Sequence, residues 1–211
     1  MPRPHRAILS RELIFSTALE MTDRAGRFTV PELAQRLGVS VSSLYHHVQG
    51  RAEIIEGIRG LMTPSLTSLD ANTPWEVAVT DWARAYRDSF AAHPAAIPAL
   101  VAQTVSAPAT LAQYDLIAQV LERAGLSADS IVMAITMLDT LCLGAALDLA
   151  APSVIWQPRG AESALSRALA GADADVDRSR RAFEVQLALI VGELSGRLTA
   201  QRSELIRNSG T

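Results

Sequence analysis

Apolar residues recur at intervals of three and four along most of this chain, and no strand-like alternation of consequence interrupts them, so the pattern predicts an all-α protein. Ile8, Leu9, Ile14, Phe15, Ala18, Leu19 and Met21 mark a first amphipathic helix that stops by Gly26. Thr29-Val30-Pro31-Glu32 is a helix-start signature: Thr29 caps, Pro31 suits an early helical position, and Glu32 falls three after the cap. The second helix then spans about 30–37, Gly38 supplies a left-handed exit, Val39 points inward and Ser40 caps a short third helix. A fourth amphipathic stretch runs from Arg51 to Met62.

Further along, Thr73-Pro74-Trp75-Glu76 predicts a second capping box opening a helix to about Ala92, with Trp75, Val79, Trp82, Ala83, Tyr86 and Phe90 on one broad face. Residues 95–104 read as a short, irregular helix, and Ser106-Ala107-Pro108 starts another that ends at Ala124-Gly125. Ser127 begins the most apolar helix, which stops before Pro152 and must be covered on more than one side. Residues 151–178 form a loop with a weak helix around Glu162 to Leu169, and a final helix from about Asp177 to Arg202 carries Phe183, Leu187, Ile190, Val191, Leu194 and Leu198 at helical spacing.

On a wheel of about 100° per residue, Leu44 and Val48 share the inner face of the third helix, with Val41 at its edge. Ser42 and His46 point directly away, flanked by Ser43, Tyr45 and His47. Adjacent histidines diverge too far to hold one metal ion without a distant third ligand, and no such cluster lies nearby. Exposure alone suffices for contact with phosphates and base edges. The first backbone amides after Gly50, together with Arg51, suit one phosphate.

Composition bounds this picture. In 211 residues, 49% are hydrophobic and 19% charged, a globular profile with room for a sizeable core. No apolar run is expected to reach the roughly eighteen residues of a membrane span, and no signal-like block follows Met1–Arg6, which places the protein in the cytoplasm. That basic lead suits phosphates or a minor groove, or is a frayed end. Cys142, the single cysteine, excludes an internal disulfide or a cysteine-based zinc site and reads as a small hydrophobe. The net charge of −3 is uneven: residues 1–60 hold eight arginines against six acids, and residues 61–211 hold eleven against sixteen. Only the first part suits a polyanion. The absence of a glycine-rich phosphate loop, a nucleophile elbow and His-Glu-x-x-His spacing argues against an enzyme, and no cofactor or metal site is expected.

The stretch Phe28-Thr29-Val30-Pro31-Glu32-Leu33-Ala34-Gln35-Arg36-Leu37-Gly38-Val39-Ser40-Val41-Ser42-Ser43-Leu44-Tyr45-His46-His47-Val48, with Arg51, resembles the helix-turn-helix of the tetracycline-repressor (TetR) family of transcriptional regulators. The resemblance covers about residues 8–60. It implies an N-terminal three-helix helix-turn-helix DNA-binding domain (1–50), a connecting helix (51–68) and a larger C-terminal helical ligand-binding and dimerisation domain (69–211). It implies that Val41, Ser42, Ser43, Tyr45 and His46 face bases or nearby backbone, and that Thr29, His47 and Arg51 hold phosphates. Gln49 departs from the lysine common in the family, and Val41 suits a thymine methyl or the edge of the helix core.

A three-helix unit of this size buries little surface, and one recognition helix reads only a few base pairs, so a homodimer is expected. The apolar helix and the last helix are its natural surface, through Leu141, Leu143, Leu147, Leu187, Ile190, Val191 and Leu194; the resemblance implies a four-helix bundle there. It also implies an effector pocket, with Trp82, Tyr86, Gln103, Tyr114, Met133, Met137 and Asp139 as candidates. Tetracycline-binding members hold magnesium partly through a histidine after the fifth helix, and residues 94–106 contain none. The expectation is a ligand-responsive regulator, most simply a repressor, that binds a palindromic double-stranded DNA operator and is released by a small, largely apolar effector. An activator of the same fold, and a ligand-binding dimer that no longer binds DNA, are the alternatives.

Overall fold

The computed structural model describes residues 9–64, 73–152, 154–159, 163–172 and 177–209, and every regular element among them is helical. The lead Met1–Arg6, Ile8, residues 65–68 of the expected connecting segment and Glu162 lie outside the described residues. Helix α1 (Arg11–Ala25) starts at Ser10, whose hydroxyl accepts the Leu13 N–H. In α2 (Val30–Leu37), Thr29 and Glu32 satisfy each other's backbone N–H, and Gly38 leaves the helix at φ 67°. Both features follow from the residue types, since only glycine enters that left-handed region without a steric cost.

Helix α3 (Val41–Tyr45) is shorter than the wheel over residues 41–48 assumes. His46 is its C-cap and His47 lies in the following turn, yet the Val48 N–H still reaches the Leu44 carbonyl at 3.1 Å. Leu44 and Val48 therefore keep a common buried face. Helix α4 (Arg51–Met62) packs along α1. Gly57 makes that approach possible: a Cβ there would fall well inside van der Waals contact with the Phe15 ring.

Helix α5 (Trp75–Ala91) corrects one expectation. Pro74, in extended geometry, is the N-cap, and no side chain caps the helix. Glu76 thus stands at the second helical position, one short of where a capping box needs it. A 3-10 turn (Pro94–Ala96) and α6 (Ile97–Val101) precede α7 (Pro108–Ala124) and α8 (Ala128–Leu149). The short α9 (Ala164–Ala170) buries nothing, and α10 (Arg178–Ser209) continues past Arg202. Asp177 starts it by accepting the Arg180 N–H at 3.0 Å.

Helices α5, α7, α8 and α10 form the larger body. Its centre is a stack of Trp82, Tyr86 and Phe90, with ring centroids 4.9 and 4.5 Å apart, all fully buried. Ala134, Leu138, Cys142 and Ala146 of α8 and Phe183, Leu187 and Leu194 of α10 close around it. Each large apolar side chain so buried contributes about 1.5–3 kcal/mol. Helix α8 also corrects the expectation about apolar length: at 22 residues it is long and apolar enough to cross a membrane by composition. In this fold α8 packs against α5, α7 and α10, which buries 33% of that apolar window.

The two halves meet where α4 touches α6 and α7, and where α1 touches the Pro94–Ala96 turn. Beside that turn, His93 Nδ1 lies 2.8 Å from Asp23 Oδ2 at the end of α1.

Candidate functional site

Helix α3 presents Ser42, Tyr45 and His46 to solvent, while Val41, Ser43 and His47 are half-buried. Tyr45 is 52% exposed, an unusual state for an aromatic ring that a core does not need. Ser43 is engaged within its own turn, where its N–H donates to Ser40 Oγ and the two hydroxyls lie 2.8 Å apart. The Thr29 hydroxyl likewise donates to Glu32 at 2.7 Å. Arg51 is exposed and lies over the Phe28 ring, 5.3 Å from its centroid, which leaves the guanidinium edge available.

The turn after α3 is held by residues that the sequence pattern does not single out. Arg11 donates to the His47 carbonyl at 3.1 Å and pairs with Glu53, while Glu53 accepts the Gln49 N–H at 2.5 Å. The Gln49 N–H and then Arg11 hold the Glu53 carboxyl below its ordinary value. The Glu53 carboxylate thus takes an N–H that precedes the helix, whereas no side chain caps the first amides of α4 after Gly50, beside which Arg51 stands.

A second unassigned pair lies deeper. Glu56 and Arg59, both buried, bond at 2.8 Å. Glu56 also accepts the N–H groups of Ser106 and Ala107 at 2.6 and 2.9 Å, and Arg59 donates to the Leu100 carbonyl at 2.5 Å. Burial pushes the Glu56 carboxyl up, but the bonds from Ser106, Arg59 and Ala107 together outweigh it and hold it down. Their i, i+3 spacing is visible in the sequence; their burial is not.

Of the seven effector candidates, four come together. Tyr86 and Tyr114 both donate their hydroxyls to Asp139 Oδ1, at 2.9 and 2.6 Å, and Trp82 stacks on Tyr86. Burial, then the neighbouring charge and hydrogen bonds, pushes both tyrosine hydroxyls far up. The Trp82 indole N–H is buried with no acceptor among the described residues. The other three separate. Gln103 lines a cavity between α1, α4 and the start of α7; Met137 lines a groove between α8 and α10; Met133 packs half-buried against the core. Side-chain direction on α8, which periodicity over so apolar a helix leaves open, decides this.

The same reason divides the dimer candidates. Leu187, Leu194 and Ile190 face the chain's own core, and Leu141, Leu143 and Val191 are half-buried; Leu147 is exposed. Besides Leu147, Val132 on α8 and Val185 and Leu189 on α10 point outward, the last 68% exposed. At Gly144, Gly192 and Gly196 an added Cβ would likewise meet no described atom within 4 Å.

The family model described as tetracyclin repressor-like, C-terminal domain, matches residues 69–195. The tetracycline repressor protein class C of Escherichia coli is 28% identical over 227 aligned positions, covering 95% of this chain and 97% of that one. Apo ActR from Streptomyces coelicolor superposes with a TM-score of 0.76 at 23% identity, covering 92% of this chain and 99% of that one. The same protein in complex with actinorhodin gives 0.71 at 23%, with 90% and 98% covered. BioQ with its double-stranded DNA operator gives 0.63 at 20%, with 90% and 99% covered. These structural likenesses establish the fold.

Proposed function

The chain belongs to the tetracycline repressor-like family of transcriptional regulators, and from that premise we propose that it is a homodimeric repressor that leaves its operator when a small, largely apolar effector binds. Residues 1–50 read DNA, 51–68 connect, and 69–211 bind the effector and pair the subunits. The observation that carries this is the split character of α3: Leu44 is fully buried and fixes the helix, while Ser42, Tyr45 and His46 face outward. Among the described residues these three side chains stay exposed, which leaves them free to meet base edges and phosphates.

The solved complex of BioQ with DNA supports the role of α3, and that of ActR with actinorhodin supports an effector site in the larger body. Trp82, Tyr86, Tyr114 and Asp139 are the residues assigned to it. An effector acceptor at the Trp82 indole N–H would satisfy a buried donor that costs about 1–3 kcal/mol when left alone. In this reading the face bearing Val132, Val185 and Leu189 pairs two copies, and a palindromic operator requires two α3 helices about 34–36 Å apart, one turn of DNA. Effector binding that favours a different separation must weaken operator binding by the same factor.

The test is a mobility-shift titration with sites selected from random duplex. A selected site bound at least a hundred-fold more tightly than random DNA supports the reading. Equal affinity for both would sink it.

A further inference from the structure

We propose that the cavity between α1, α4 and the start of α7 is a second effector site, separate from the buried aromatic cluster, and that it takes an uncharged, mostly apolar small molecule. Its volume is about 700 Å³. That is the size of a small-molecule site. Its apolar walls are Phe15, Ala52, Gly57, Leu61 and Pro108, with the Gln103 amide and Thr104 hydroxyl on one side.

The charged groups at its border specify the ligand class. Arg11 is bonded to Glu53 and the His47 carbonyl, Glu53 to the Gln49 N–H, and Glu56 to Arg59 and two backbone N–H groups. An ionic ligand would have to break one of these pairs in a partly desolvated place, where an unpaired charge is costly. A neutral ligand leaves all of them intact and buries apolar surface.

The place gives such a ligand leverage. Arg11, Gln49 and Glu53, which hold the turn following α3, line one end of the cavity; Glu56, Ser106 and Ala107, which bind α4 to α7, line the other. An occupant that reaches from one end to the other touches both networks, and a preference for one spacing of α4 against α7 is felt at α3. No part of the Trp82, Tyr86, Tyr114 and Asp139 cluster lines this cavity. The site's existence is independent of the proposed DNA-binding role; its regulatory consequence rests on that role.

Gly60 makes the proposal testable, because a Cβ there meets only Ala107 Cβ, at 4.0 Å, and points into open space. The probe is 1-naphthol, a neutral bicyclic aromatic with one hydroxyl, used on the full-length protein. In Gly60→Cys the introduced thiol is alkylated by maleimide, while Cys142 is buried. Saturating 1-naphthol is expected to slow that alkylation at least ten-fold, and Tyr86→Phe added to the same chain is expected to leave the protection unchanged. Gly60→Phe, which fills the cavity, is expected to weaken 1-naphthol binding at least ten-fold by calorimetry. Undiminished alkylation up to the solubility limit of the probe overturns the site, even if Gly60→Phe fails to fold. Protection lost with Tyr86→Phe overturns its separateness. Neither readout uses DNA, so a failure of the operator reading is distinguishable; where an operator is bound, 1-naphthol is expected to change its affinity in wild type and not in Gly60→Phe.

Discussion

The Glu56 carboxylate accepts the Ser106 backbone N–H at 2.6 Å, so a buried charge on α4 holds the beginning of α7, fifty residues away. Arg59 completes the arrangement and is itself tied to the end of α6. Removing one partner strands the other. Glu56→Ala is expected to lower unfolding free energy by about 3–5 kcal/mol. The double change Glu56→Leu with Arg59→Met is expected to cost less than the single one. Urea unfolding of the two variants and wild type checks this.

The same carboxyl sets a pH dependence. Its folded-state value is depressed below the ordinary 4.5, so its contribution to stability is complete above that value and is lost as pH falls through the folded one. Glu53 is depressed as well, by the Gln49 N–H and Arg11, as are Asp148, by Ser179 and Arg178, and Glu184, by Arg84. Stability is therefore expected to decline as pH drops below 4.5, with a shallower decline in Glu56→Gln. Thermal unfolding measured between neutral pH and acid pH reads both slopes.

Phe15 and Gly57 form a close contact that admits no added atom. Gly57→Ala places a methyl group against the aromatic ring and is expected to destabilise by about 1–3 kcal/mol through overpacking, despite the better helix propensity of alanine. Phe15→Leu in the same chain is expected to recover part of the loss. Guanidinium midpoints of the single and double variants decide it.

Leu187 and Leu189, two residues apart on α10, have opposite surroundings. Leu189→Glu is expected to leave the subunit folded and shift the sedimentation equilibrium from dimer to monomer, since that side chain is 68% exposed in the single chain. Leu187→Glu puts a charge in the core and is expected to unfold the subunit. A Leu189→Glu protein that remains dimeric at micromolar concentration would move the interface elsewhere.

On α3 and α4, His46→Ala is expected to relax base preference at one position of each half-site. Arg51→Ala is expected to weaken all sequences alike and to reduce the log-log salt slope by about 0.9 for one lost phosphate contact. Binding isotherms at several salt concentrations separate the two; an unchanged slope in Arg51→Ala removes it from the phosphate contacts.

Much of the fold was legible in the chain because its helices announce their own ends. Thr29, Ser40, Ser127, Gly26, Gly38 and Gly125 act within four residues of themselves, and each caps or ends a helix through that local geometry. The pairing of Leu44 with Val48 follows from the same kind of contact. Where two local signals competed, as at Thr73 and Pro74, the pattern was insufficient, because backbone torsions at one residue moved the helix start by one position.

What depended on neighbours far along the chain had to come from the folded structure. The charges of Glu56 and Arg59 look like an ordinary solvated pair until α7 covers them. On α8 apolar residues occur nearly all round, so no periodic signal distinguishes the core side from the exposed one, and on α10 the strongest stripe, Leu187, Leu194 and Leu198, is inward. Sequence alone determined the helical class, the helix-turn-helix and the outward set on α3, all consequences of contacts three or four residues apart. Tertiary packing alone decided which aromatic side chains meet Asp139, which face is left for a partner, and that a cavity lies between α1, α4 and α7, because each depends on surfaces brought together across dozens of residues.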